Sequence, residues 1–377
     1  MQKQIFLLIF LALLIGKTNA QPSLAGDQQM ACALSNSFFL KPDHTLWGWG
    51  KNFFGELGNG SQQIENTPVF MTPMSWKTIA AGEMHGIGLQ ADGTIWTWGG
   101  NWSGQLGNGT FEDQPLLTQL GTDKDWVKID AGSDHNLALK SDGTLWSWGS
   151  NQYGQLGDTV RTAMWVPVQI GTDTTWTDII AGTFHNFAMH SDGSLWGWGK
   201  NSSGQLGNGK SIDQPVPVQI AATHRWIQLA IGAYFTAGLQ SDGTLWAWGS
   251  NERGQLGNGT LKDTSTPVQI GKDTDWASIA AGSAHGVALK TDGSLWSWGY
   301  NKSGQLGILE MQQGLYTKQV SIPTSVGKDN DWIAVEAGSG QSVAVKADGS
   351  IWAWGWINAG RVDGYGEYTP FRMGIIH

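Results

Sequence analysis

Four histidines, His85, His135, His185 and His285, stand at steps of fifty or a hundred residues, and six Asp-Gly pairs beginning at Asp92, Asp142, Asp192, Asp242, Asp292 and Asp348 follow nearly the same step. Imidazoles in number suggest a metal ring, and carboxylates in number suggest paired catalytic acids or a calcium surface. Both chemistries need convergence: donors within about 2.0–2.2 Å of one ion, or carboxyl groups about 5–9.5 Å apart. Groups that occur once per repeat are spread around a ring instead. Asn36, Phe235 and Gln341 also stand where units one, five and seven would carry the histidine. The imidazoles are therefore expected to make a local hydrogen bond that fixes the turn after Ala-Gly, and the aspartates to cap tight turns. No metal, no cofactor and no catalytic residue is expected.

The elements that position these groups come from one repeating unit. Trp-x-Trp-Gly occurs seven times, starting at Trp47, Trp96, Trp146, Trp196, Trp246, Trp296 and Trp352, with steps of 49, 50, 50, 50, 50 and 56 residues. A second series, Trp76, Trp126, Trp176, Trp226, Trp276 and Trp332, marks the unit boundaries. Period-two alternation with Asp-Gly turn chemistry predicts four short strands per unit. Seven such units predict an all-β, seven-bladed propeller with four-stranded blades over residues 27–377. The two Trp of each motif share a sheet face and are expected to pack against the next blade. These two series absorb all but Trp102, Trp165 and Trp356 of the 23 tryptophans.

Composition agrees with a rigid β-scaffold: 54 Gly and only 14% charged residues exclude a helical bundle or a disordered chain. A formal charge of −9 without a basic stripe argues against nucleic acid as a partner. Residues 1–20 carry Lys3, an apolar run from Ile5 to Ile15 and a small-residue ending at Ala20, which reads as an export signal. Residues 21–26 form a lead-in, no integral membrane domain follows, and a secreted or periplasmic monomer is expected. The single Cys32 has no intramolecular disulfide partner and is expected to be a small buried side chain.

The unit Ala-Gly-x-x-His, Asp-Gly-x-Leu-Trp-x-Trp-Gly-x-Asn-x-x-Gly-Gln-Leu-Gly, with copies at Gly104-Gln105-Leu106-Gly107, Gly154-Gln155-Leu156-Gly157, Gly204-Gln205-Leu206-Gly207, Gly254-Gln255-Leu256-Gly257 and Gly304-Gln305-Leu306-Gly307, resembles the repeat of the regulator of chromosome condensation (RCC1) family. The resemblance covers residues 27–377 and reads as an exported, bacterial-type member. It implies a seven-bladed propeller that exchanges nucleotide on a small GTPase, senses ultraviolet light, binds chromatin or serves as a recognition platform. The founding exchange factor is expected to act through a β-wedge inserted into one blade. In this chain the sole substantial insertion follows Trp296 and includes Leu309–Val320.

Function is sought where the units differ. The loop pair after the third strand carries Phe53 and Phe54, Trp102, and Tyr153, with Trp356 near the ring closure. These are expected to form a contiguous aromatic arc, joined on the same face by Met84, Phe184, Tyr234 and Phe235. The expectation is a noncatalytic protein- or glycan-binding propeller acting outside the cytoplasm. The alternative is a guanine-nucleotide exchange factor for a host small GTPase, and a polysaccharide-cleaving enzyme ranks third because no asymmetric acid–base cluster is visible.

Overall fold

The computed structural model describes residues 30–33, 36–41, 43–160, 162–220, 225–308, 311–312, 315–316, 318–356 and 367–375. The expected export signal at residues 1–20, the expected lead-in at residues 21–26, and Asn358 and Ala359 just after Trp356 lie outside these residues. Strands dominate the described chain, and they assemble into seven four-stranded antiparallel sheets. Blade 2 shows the pattern: Trp76–Ala81, His85–Gln90, Ile95–Gly99 and Gln114–Leu120, hydrogen-bonded in sequence order. Blade 1 runs from Met30–Cys32 to Glu65–Thr72, blade 3 from Trp126–Ala131 to Met164–Gln169, and blade 4 from Trp176–Ala181 to Gln214–Gln219. Blade 5 runs from Trp226–Ile231 to Thr264–Gln269, blade 6 from Trp276–Ala281 to Gln319–Ser325, and blade 7 from Trp332–Ala337 to Glu367–Ile375. First strands of neighbouring blades touch one another around the whole ring, so they surround the axis and the fourth strands lie outermost.

This arrangement creates two faces. One, the loop face, carries the turns between first and second strands and the long connections between third and fourth strands. The opposite, hairpin face carries the Asp-Gly turns. There Asp92 Oδ1 accepts from the Thr94 amide (3.1 Å) and hydroxyl (2.7 Å), and the Thr94 oxygen accepts from Trp96 Nε1 (3.2 Å). A turn carboxylate thus orients the first tryptophan of the motif.

Seven apolar clusters fill the seven blade interfaces. The second tryptophan of each motif is the buried one and packs against the preceding blade, not the next: Trp98 lies with Phe38 and Leu57 of blade 1. The first tryptophan is half-buried and meets the boundary tryptophan of its own blade edge-on, as in Trp126 with Trp146 at 5.7 Å. Both residues of a pair share a sheet face, but their depths differ because one points inward along the interface and the other outward. Burying an aromatic side chain stabilises by about 2–3 kcal/mol, so each repeat contributes to the ring through its neighbour as much as through itself. Blade 7 closes on blade 1 by side-chain packing, with Trp49 and Phe39 against Val343 and Val345. Each blade takes its four strands from one continuous stretch of chain, blade 6 alone among the described residues holding a separate two-stranded hairpin between its third and fourth strands.

The histidines are not local turn-fixers. His85 Nε2 reaches Asn136 Oδ1 of the next blade at 2.9 Å, His135 reaches Asn186 at 2.7 Å, His185 reaches Thr236 Oγ1 at 3.0 Å, and His285 reaches Ser342 Oγ at 2.9 Å. Asn136 donates through Nδ2 to the Gln105 carbonyl (2.7 Å), which leaves its Oδ1 as the acceptor and puts the His85 proton on Nε2. All four rings are fully buried, and burial pushes each pKa down, to about 4 for His85, His135 and His285 and about 3 for His185. In blade 7, Gln341 Nε2 makes the same crossing to Ser37 Oγ of blade 1 at 3.1 Å. Cys32 is free and half-buried near the axis, receiving a hydrogen bond from Ser37 Oγ at 3.5 Å.

Candidate functional site

The loop face is built by a motif whose own residues are consumed in building it. In blade 2, Asn101 Oδ1 accepts from the Leu106 amide (2.9 Å) and its Nδ2 donates to the Thr110 carbonyl (2.9 Å). Gln105 Oε1 accepts from the Ser103 amide at 2.8 Å. The Gln105 carbonyl accepts from both Asn136 and Trp148 of blade 3. Gly107 holds φ at +70°, and a Cβ there would lie 2.8 Å from Trp148 Nε1. Blade 1 uses Glu56 for the same task, its Oε2 accepting from the Phe54 amide at 2.8 Å, and burial raises its carboxyl pKa. Three positions per blade remain for a partner: the loop pair, the residue after the third strand, and the turn between first and second strands.

The residues singled out from the sequence occupy these positions, and they separate into groups. Phe54 and Trp102 meet edge-on at 4.7 Å, with Met84 and Phe54 both flanking Gly100. Phe53 and Trp102 are 54% and 58% exposed. A second group joins Tyr153 to Phe184 at 5.1 Å and Phe184 to Tyr234 at 6.0 Å across blades 3, 4 and 5. Trp356, 56% exposed, donates its backbone amide to the Gly340 carbonyl (2.7 Å) and carries the Lys51 ammonium 5.8 Å from its ring. Phe235 is placed differently from expectation. It is fully buried, its ring lying against Gly232 where other blades hold histidine, so it belongs to the core and offers nothing to a ligand. Trp165 is half exposed on the rim and packs edge-on against Phe111 at 5.0 Å.

Polar groups on this face were not reached from the sequence. Lys200 holds its Nζ 4.0 Å from the Tyr153 ring, 4.9 Å from Tyr234 and 5.2 Å from Phe184. Arg253 lies over Tyr300 at 5.1 Å. Near the axis, Ser133 Oγ donates to Glu83 Oε2 at 2.5 Å, and burial, with Glu83 nearby, raises the Asp134 carboxyl pKa. The signal for Lys200 was the residue directly after Trp-x-Trp-Gly, which varies as Lys51, Gly100, Ser150, Lys200, Ser250, Tyr300 and Trp356 while its flanks repeat, and Arg253 stands in the variable loop pair of blade 5. The histidines lie beneath this face with Nε2 committed to the next blade, and no group of three metal-ligating side chains occurs among the described residues. The face offers aromatic area, cations and a rigid frame, which is the chemistry of recognition.

Fold and face together define a closed seven-bladed repeat propeller that presents one irregular recognition surface. The RCC1-like domain model matches residues 114–369 and the regulator of chromosome condensation (RCC1) repeat model matches residues 43–89. The chain belongs to the RCC1-like propeller family. Comparison with curated protein sequences gives no match. Among solved structures, human WBSCR16 is 24% identical with a TM-score of 0.72, covering 86% of this chain and 89% of that one. Prp20p from Saccharomyces cerevisiae, studied for its binding to Gsp1p and histones, is 24% identical with a TM-score of 0.73, covering 84% and 81%. Yeast RCC1 (Prp20) bound to Kap60 is 21% identical with a TM-score of 0.76, covering 95% and 88%. These likenesses are likenesses of fold.

They also correct two expectations. The reading as an exported, bacterial-type member does not stand, because the solved proteins that share this propeller over most of its length are human and yeast proteins. The secreted or periplasmic placement falls with it, since these include yeast RCC1 captured with Kap60 and Prp20p studied with histones.

Proposed function

We propose that this chain is a protein-recognition propeller that acts on a small GTPase as an RCC1-type nucleotide-exchange factor, with no covalent chemistry of its own. The observation that carries this reading is the insertion in blade 6. Between the third and fourth strands, Met311–Gln312 pairs antiparallel with Leu315–Tyr316, so the longest repeat step holds a two-stranded hairpin in a loop-face connection. A β-element inserted into one blade is what the family's exchange activity calls for. The binding of Gsp1p by Prp20p supports the same partner class. Exposed Phe53, Trp102 and Trp356 supply contact area on the same loop face.

The test is release of a fluorescent guanine nucleotide from a Ran-type GTPase, with the wild-type chain and with a variant in which residues 309–317 are replaced by a short Gly-Ser link. Saturable acceleration that the replacement abolishes is expected. GTPase binding without acceleration would reduce the protein to a recognition platform, and no binding at all would overturn the reading.

A further inference from the structure

Cations stacked on aromatic rings occur on both faces of the ring, and their charge is balanced on one face only. On the hairpin face, Lys140 lies over Trp126 and Trp146 (4.7 and 4.9 Å) and pairs with Asp123 at 2.6 Å and Asp125 at 3.3 Å. Lys290 repeats this with Trp276 and Trp296 and with Asp273 and Asp275. Lys346 repeats it again with Trp332 and Trp352 and with Asp329 and Asp331. Three of the four hairpin-face lysines stacked on tryptophan are thus each balanced by two carboxylates, while Lys41, 4.4 Å from the Trp47 ring, has none among the described residues and rests on fewer rings than Lys200.

On the loop face the same stacking is present without the carboxylates. Lys200 is half-buried among three rings, a richer aromatic setting than any hairpin-face lysine has, and it makes no ion pair among the described residues. Arg253, one blade on, stacks on Tyr300 and is likewise without an ion pair among the described residues. The rings fix the ammonium in place, which removes part of the entropy cost that weakens ordinary surface pairs. They also exclude water from one side of it, which strengthens attraction to an incoming anion.

Resting on the reading of the loop face as a recognition surface, we propose that Lys200 is the docking cation for a carboxylate of an acidic segment on a protein partner, whose neighbouring apolar side chain lies on Tyr153, Phe184 and Tyr234. The segment runs from Lys200 toward Arg253 over blades 4 and 5. It thereby leaves the Glu83 and Asp134 carboxylates, which stand on blades 2 and 3, to the side. A protein segment is favoured over a nucleic acid because the three rings form an apolar platform for a neighbouring side chain beside a single fixed ammonium, without the row of cations that a phosphate backbone would need.

The probe is an acetylated, amidated peptide Glu-Glu-Phe-Glu-Glu, with Gln-Gln-Phe-Gln-Gln and a single-stranded oligothymidylate as comparators, read by fluorescence anisotropy at low and moderate salt. Saturable binding of the acidic peptide, weakened about tenfold by Lys200→Gln and by added salt, is expected. Phe184→Ala is expected to weaken the same binding, and melting temperatures report whether either variant is folded. Equal binding to wild type and Lys200→Gln overturns the proposal, as does absence of saturable binding, equal binding of the glutamine peptide, or tighter binding of the oligothymidylate. A Ran-type GTPase that fails to bind while the peptide still depends on Lys200 removes the exchange reading and leaves this one. A GTPase bound and exchanged equally by wild type and Lys200→Gln, with a peptide indifferent to the substitution, does the reverse.

Discussion

Trp148 of blade 3 donates through Nε1 to the backbone carbonyl of Gln105 in blade 2 at 3.0 Å, and the same oxygen accepts from Asn136 Nδ2 at 2.7 Å. One carbonyl thus ties two strands of the following blade to the loop that carries Trp102. The pattern recurs at Gln155, Gln205 and Gln305, so the recognition loops are anchored by the interface beneath them. Trp148→Phe keeps most of the packing but removes one buried donor. Loss of about 2 kcal/mol is expected in denaturant unfolding, and an unchanged midpoint would mean that the bond contributes little.

Gly107 and Gly121 separate steric need from conformational need. Both have positive φ, at +70° and +62°. A Cβ at Gly107 meets Trp148, whereas at Gly121 it meets nothing within 4 Å. Gly121→Ala is expected to cost about 1–2 kcal/mol from backbone conformation alone. Gly107→Ala adds overpacking and should cost at least about 3 kcal/mol, measured by thermal unfolding of the two variants side by side.

The buried imidazoles make stability depend on acid. Their pKa values lie at about 3–4 in the folded ring against 6.5 for the free side chain. Between these values the unfolded chain binds the extra protons. Their stabilising contribution is therefore full above about pH 6.5 and is lost as the pH falls toward 4. His135→Gln copies the arrangement of Gln341 and should flatten this decline, in unfolding series from pH 7 to 4, without a comparable loss at pH 7.

Asp130 works in the opposite direction. Its buried carboxylate accepts from the Ala131 amide at 2.9 Å and the Ala181 amide of the next blade at 2.8 Å, and burial pushes its pKa up from 3.8 to about 7. The folded state holds the proton between these values, so this group's contribution is present below about pH 4 and is lost as the pH rises through 7. Asp130→Asn should gain stability relative to wild type on going from pH 5 to pH 8. A constant difference across that range would show that the carboxylate is ionised throughout.

Trp102 tests the face rather than the frame. With 58% of its surface exposed and Phe54 as its ring partner, Trp102→Ala should change unfolding free energy by less than about 1 kcal/mol. GTPase binding should fall about tenfold if this residue is a central contact. A loss of stability matched by no loss of binding would make the ring pair part of the scaffold.

The seven units, the four strands in each and the scaffold role of most tryptophans were legible in the sequence, because side-chain period and turn chemistry are local and are repeated seven times. The loop-face position of Trp102, Tyr153 and Trp356 could be read for the same reason: a residue that breaks a repeat is visible against its copies. What a linear reading could not supply was everything that crosses a blade boundary. His85 and Asn136 are 51 residues apart in sequence, and the histidine's partner depends on how the next blade packs rather than on its own turn. Phe235 looked like a surface aromatic beside Tyr234, yet the adjacent position points into the interface. Lys200 resembles Lys140 in type, and only the tertiary structure shows that one has its carboxylates and the other does not. Local pattern determined the blades; packing between blades decided which side chains are spent on the ring and which are left to meet a partner.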